Sequence, residues 1–186
     1  RLSAEACLKT GIDYRRVGAT RFYGRREIKD LIAYLRLVHN PDDAVSFNRI
    51  INVPKRGIGD VSLQSILLAA QKAQVSPGRL LLSLGLEKEK SALADSLPSR
   101  ILPKLIYFGE QFLYWSEAKE ELSVAELLET IMESIEYENY LEEDSVNRDT
   151  SIDRLANVHE LRRLTYEYKD SGLDTFLENM ALVSDQ

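Results

Sequence analysis

The stretch Ile50-Ile51-Asn52-Val53-Pro54-Lys55-Arg56-Gly57-Ile58-Gly59-Asp60-Val61-Ser62-Leu63 combines a helix end, a glycine-bounded hairpin and a fresh helix start. The apolar residues Val45, Phe47, Ile50 and Ile51 fall on one helical face. Pro54 cannot continue that helix and biases Val53 away from helical angles, so the helix stops near Asn52. Gly57 and Gly59 open backbone angles closed to other residues and let the main chain approach a ligand, while Ile58 between them plugs into the core. Gly59 or Asp60 then caps a second helix carrying Leu63, Ile66, Leu67 and Ala70 at helical spacing. The pattern predicts a helix-hairpin-helix.

A helix N-terminus with free N–H groups, preceded by Lys55 and Arg56, attracts an anion through backbone donors, helix dipole and side-chain charge together. The repeating anion that suits it is a nucleic-acid backbone, whose phosphates position a duplex without reporting its sequence. The alternative is a glycine-rich helix connection with two solvated basic residues.

Charge distribution sharpens this. The 186 residues carry a formal net charge of −6. Residues 1–60 nevertheless hold 12 Lys/Arg against 7 Asp/Glu, and residues 61–186 hold 12 against 23. A basic part beside an acidic body orients a domain on a polyanion.

Working outward, Arg25-Arg26-Glu27-Ile28-Lys29-Asp30 opens a helix whose stripe is Ile28, Leu31, Ile32, Leu35 and Val38, stopped at His39-Asn40-Pro41. Arg21, Arg25, Arg26, Lys29 and Arg36, with Phe22 and Tyr23, form a basic patch interleaved with aromatics, a combination that supplies charge and stacking surface to single-stranded or junction DNA. Phe22 and Tyr23 alternatively bury against the following helix. Asp42 or Asp43 caps the next helix, and Ser76-Pro77 starts another that Gly85 ends. A long helix after Pro98-Ser99 carries Leu105, Ile106, Phe108, Phe112, Leu113 and Trp115 as core. Ser123 and Glu126 form a capping box, Ser145 to Thr150 reads as a loop, and helices over 151–170 and 173–183 close the chain. Upstream, residues 2–10 read as a helix and 12–17 as a lone strand, with Gly18-Ala19-Thr20 as a hinge. The fold class is mainly α.

With 44% hydrophobic residues the chain is expected to fold, and its single cysteine, Cys7, fits a reducing setting without disulfides. No apolar run approaches the roughly 18 residues of a membrane span. His159-Glu160-Leu161-Arg162-Arg163 begins like a zinc-protease helix but has Arg163 where the second His belongs, so no metal site is expected. No Gly-x-x-x-x-Gly-Lys-Ser/Thr loop occurs, so the chain alone is not expected to hydrolyse ATP. Catalytic residues: none.

The runs Val17-Gly-Ala-Thr-Arg-Phe-Tyr-Gly-Arg-Arg-Glu-Ile-Lys-Asp-Leu-Ile-Ala-Tyr-Leu, Asn40-Pro-Asp-Asp and Arg49-Ile-Ile-Asn-Val-Pro-Lys-Arg-Gly-Ile-Gly59 closely resemble the PcrA/UvrD/Rep group of superfamily 1 DNA helicases. The likeness returns at Arg154-Leu-Ala-Asn-Val-His-Glu-Leu and Phe176-Leu-Glu-Asn-Met-Ala-Leu-Val-Ser-Asp185, and between about 75 and 148 is one of helical pattern only. The resemblance implies an excised 2B subdomain over 21–183, preceded at 1–20 by a helix, strand and hinge of the RecA-like 2A domain and followed by a return linker at 184–186. It implies duplex or junction DNA held by Asn52, Lys55, Arg56, Gly57, Ile58, Gly59 and Ser62, with Arg21, Phe22, Arg25 and Arg26 nearer the junction. Gly18, Ala19 and Thr20 would be the hinge, Ala19 standing where many relatives have a second glycine. ATP and Mg²⁺ would serve the parent helicase and not this segment. Partners would be the other helicase subdomains and accessory repair or replication proteins, in a bacterial cytoplasm at the nucleoid, without a membrane. The competing expectation is an autoinhibitory module that docks a basic partner through the acidic surface from Glu117 to Asp144.

Overall fold

The computed structural model describes residues 18–184 other than Thr20. The expected helix at 2–10, strand at 12–17, hinge residue Thr20 and the last two linker residues lie outside that range. Among the described residues, helical turns at 18–19 and 21–23 precede nine α-helices, and there is no strand. The helices are α1 (Arg26–His39), α2 (Ala44–Ile50), α3 (Asp60–Ala73), α4 (Pro77–Glu87), α5 (Leu102–Ala118), α6 (Val124–Ser134), α7 (Tyr137–Asp144), α8 (Arg148–Tyr166) and α9 (Leu173–Ser184).

Caps set most boundaries. Asp43 starts α2 by accepting from the Ser46 amide at 3.0 Å, while Asp42 pairs with Arg79 instead. Ser76 accepts from the Arg79 amide at 3.2 Å and puts Pro77 at the first turn of α4. Ser123 accepts from the Glu126 amide at 3.2 Å, and its hydroxyl donates to the Glu126 carboxylate at 3.1 Å. The stretch 145–150 is shorter as a loop than its polarity implies. Asn147 caps α8 by accepting from the Thr150 amide at 2.9 Å, so the helix already begins at Arg148.

Gly85 does not end α4, which runs on to Glu87. Instead it sits where α4 presses on α5, the most extensive helix pair among the described residues. A Cβ on Gly85 would collide with the Gly109 carbonyl, and one on Gly109 with the Leu81 carbonyl, so the two glycines let the backbones touch.

The core is aromatic at its centre. Trp115 is fully buried and meets Tyr34 and Phe108 edge-on, with ring centroids 5.9 and 6.3 Å away. Around it pack Ile28, Leu31, Leu35, Phe47, Phe112, Leu161 and Phe176, all with no more than 1% of their surface exposed. Burying each such side chain favours the fold by about 1.5–3 kcal/mol.

Two carboxylates on α1 are buried as well. Glu27 accepts from the Asn157 side chain at 2.8 Å and pairs with Arg154 at 3.6 Å. Arg154 also reaches Asp144 at 3.1 Å, joining α1, α7 and α8. Asp30 takes the Arg49 guanidinium at 2.8 Å and binds α2 to α1.

Candidate nucleic-acid interface

Residues 51–59 link α2 to α3 as a tight corner seated on the aromatic core. Asn52 organises it. Its side-chain oxygen accepts from the Arg56 amide at 2.7 Å and from the Ile58 amide at 3.2 Å, closing the loop in the manner of a backbone turn. Ile58 is 3% exposed, anchoring the corner between its two exposed glycines. Gly57 has φ of +71°, a conformation that side chains disfavour, whereas Gly59 has φ of −77° and serves as the N-cap of α3.

Arg56 lies differently from the sequence expectation. Its guanidinium turns inward and donates to the carbonyls of Ile50 at 2.8 Å, Ile51 at 3.2 Å and Val53 at 3.3 Å. It also donates to the Tyr34 hydroxyl at 2.6 Å and stacks 3.8 Å from the centre of the Phe108 ring. Tyr34 in turn donates to the Val53 carbonyl. Burial pushes the Tyr34 phenol up, outweighing the Arg56 charge, so it stays a protonated donor. The last carbonyls of a helix have no partner in the helix itself, and Arg56 satisfies those of α2 with a planar fork. The physical reason for its direction is therefore the set of carbonyls gathered at the end of α2 and beneath the loop, which its fork can meet together.

Two of the corner's amides, those of Arg56 and Ile58, are thus occupied from within. The amides of Gly57, Gly59, Asp60 and Val61, all on exposed residues, meet no internal acceptor among the described residues. Ser62 is 5% exposed, and its hydroxyl accepts from Arg100 at 2.9 Å. Lys55 is exposed.

Two residues that sequence reasoning missed complete the corner. The Lys104 ammonium stands where a Cβ on Gly57 would be, and Arg100 covers the first turn of α3 through Ser62. Arg100 lies in the turn before α5 and Lys104 in its first turn, both more than forty residues beyond the loop. Among the described residues, neither they nor Lys55 pair with a carboxylate.

The basic stretch at 21–26 stands apart, with no hydrogen bond to the corner among the described residues. Arg21 and Arg25 are exposed, and Arg26 lies 3.7 Å from Asp144. Phe22 is partly buried and meets Tyr23 edge-on at 5.1 Å, and Tyr23 is only 9% exposed, in line with the alternative that the pair buries against the following helix. Gly18 is exposed and Ala19 half-buried, both in helical conformation.

Among known protein families, the chain matches the UvrD-like helicase C-terminal domain. The profile of that domain matches residues 2–186, and the chain belongs to this family. The ATP-dependent DNA helicase PcrA of Bacillus subtilis (strain 168) is 36% identical over 190 residues, an overlap of 100% of this chain and 24% of the relative. PcrA of Leuconostoc citreum is 33% identical over 191 residues, covering 97% of this chain and 24% of the relative. The ATP-dependent DNA helicase UvrD1 of Mycobacterium tuberculosis (strain ATCC 25618 / H37Rv) is 33% identical over 201 residues, covering 97% and 25%. The chain spans about a quarter of the length of these relatives.

Proposed function

We propose that the chain is the 2B subdomain of an ATP-dependent DNA helicase, a non-catalytic module that grips duplex DNA ahead of the unwinding junction and regulates unwinding by rotating on its hinge. In this reading residues 21–183 are the subdomain, 1–20 the flanking 2A piece and hinge, and 184–186 the return linker. ATP and Mg²⁺ act elsewhere in the parent protein, which unwinds in the 3′-to-5′ direction.

The observation that carries the reading is the set of amides at Gly57, Gly59, Asp60 and Val61, on exposed residues and without an internal acceptor among the described residues, with Lys55 in the same corner. Such a helix start holds a phosphate by donors and dipole together. Within this helix-hairpin-helix, Asn52, Arg56 and Ile58 shape the corner, while Lys55, Gly57, Gly59 and the backbone at Ser62 meet the phosphates. Arg21, Phe22, Arg25 and Arg26 serve the junction near the hinge.

The test is a fluorescence-anisotropy titration of the chain with labelled duplex DNA bearing a single-stranded tail, repeated across a salt series. Lys55→Ala should flatten the slope of log affinity against log salt by about 0.9, the value for one phosphate contact. Gly57→Pro should abolish binding while the helical circular dichroism persists. Unchanged affinity and slope in both variants, with the fold intact, would overturn the reading.

One observation favours a second role. Glu133, Glu136, Glu142 and Glu143 are exposed on α6 and α7 or between them and carry no ion pair among the described residues. This free acidic surface suits a basic docking partner, either another helicase subdomain or an accessory protein. Reversing these four charges should then abolish capture of such a partner that corner variants still bind.

A further inference from the structure

We propose that the outer face of α5, carried by Arg100, Lys104 and Tyr107, forms the second wall of the DNA site: the groove between the 54–57 loop and α5 takes the same phosphodiester strand that the corner caps. The inference rests on the reading of the corner as a phosphate site and adds side chains from a separate part of the chain.

Positions 100, 104, 107 and 111 recur at the spacing of one helical face, although Arg100 itself lies in the turn before α5. Its opposite face buries Leu105, Phe108, Phe112 and Trp115, so the row is held rigidly outward. Tyr107 is 64% exposed and lines the groove together with Lys55, Arg56, Gly57 and Lys104; one carboxylate, Glu136, also lines it, against these three cations. The groove measures about 730 Å³. A groove of that size is far larger than a lone ion needs.

The charges there are otherwise misplaced. Cations belong at helix C-termini, yet Arg100 and Lys104 flank the N-terminus of α5, whose first turn holds no acidic residue. That end of the helix is already positive, so an amine and a guanidinium beside it repel it unless an anion stands between them. Lys88 meets Glu110, Arg49 meets Asp30 and Arg162 meets Glu129, whereas among the described residues Lys55, Arg100 and Lys104 meet no carboxylate although they lie together. At the corner, two helix N-termini and three unpaired cations converge, and a polyanion is the ligand that relieves all five at once. Lys104 acts on the phosphate held by the Gly57 amide, because its ammonium lies against that glycine, close enough to collide with any Cβ there. Arg100, held by Ser62, takes a neighbouring phosphate at the first turn of α3. Tyr107 packs its ring against the intervening sugar. Contacts of this kind are blind to base sequence.

The experiment is the same salt-series titration with Lys104→Ala, Arg100→Ala, Tyr107→Ala and the control Lys88→Ala. Lys104→Ala and Arg100→Ala should each flatten the slope by about 0.9, and Lys104→Arg should restore it. Tyr107→Ala should weaken binding severalfold with the slope unchanged, and Lys88→Ala should alter neither. Should Lys55→Ala flatten the slope while Lys104→Ala and Arg100→Ala, folded to the same melting temperature, do not, the α5 wall is refuted and the corner stands. Absence of salt-dependent duplex binding by the unaltered chain would remove both together.

Discussion

The junction around α8 and the corner before α3 use positive charge in opposite ways. At the junction Arg154 binds Glu27 and Asp144, Arg162 binds Glu129 and Glu138, and Arg163 binds Glu160 and Glu167. Every one of these arginines holds helices or helix turns together by meeting carboxylates. At the corner the half-buried arginine, Arg56, is satisfied by neutral carbonyls and a phenol, and Lys55, Arg100 and Lys104 meet no carboxylate among the described residues. The lesson is that charge already neutralised inside a fold cannot recruit a ligand, so net charge is a poorer guide to a binding face than the count of unpaired cations at one place. The acidic total of this chain and its phosphate-suited corner are therefore compatible.

The contrast can be broken at its strongest point first. Arg154→Ala leaves Glu27, whose side chain is 5% exposed, without its cation. Stripping one partner from a buried pair destabilises by about 3–5 kcal/mol, which urea unfolding would report. A loss no larger than that of a surface ion pair would show that the junction is not a structural keystone.

Arg56→Ala should cost about 1.5–3 kcal/mol through the carbonyls it abandons, and Arg56→Lys should fail to restore the loss because an ammonium lacks the planar fork. DNA affinity should fall with the corner's geometry while the salt slope holds. A flattened slope would instead make Arg56 a direct phosphate contact.

Gly57→Ala should cost about 1–2 kcal/mol for its left-handed backbone and should also push Lys104 from its place. Gly59→Ala is the paired control, since nothing lies within 4 Å of a Cβ there and its φ is ordinary. Equal destabilisation by the two would remove the special standing of Gly57.

The buried carboxylates add a pH signature. Burial pushes Asp30 above the usual carboxylate range, outweighing the pull of Arg49 and Arg26. The folded chain then binds the Asp30 proton more tightly than the unfolded chain. Its contribution to stability is greatest below the ordinary aspartate pKa of about 4 and declines as pH rises from there through the raised value. Unfolding free energies of the unaltered chain and Asp30→Asn, measured side by side through that window, should show the unaltered chain losing ground as pH rises. A gain would mean that the Arg49 pair dominates. The smallest effect belongs to Lys55→Ala, which should leave the melting temperature unchanged and register only in DNA binding.

How much of this was legible follows from the range over which each signal acts. The Asp43, Ser76 and Ser123 caps, the stripe of α1, the aromatic core face of α5 and the turn at Gly57 are local patterns, written within a few residues by helical period and backbone sterics. The sequence by itself therefore determined an all-helical body among the described residues and the place of its glycine corner. It could not say which way Arg56 points, because that depends on carbonyls exposed only once α2 ends above Tyr34 and Phe108. Nor could it bring Arg100 and Lys104 to a loop more than forty residues earlier, or seat Gly85 against Gly109 where local rules place a helix end. Those outcomes belong to tertiary structure, since packing two helices fixes which side chains oppose each other across space, and no short-range pattern in the chain encodes that partner.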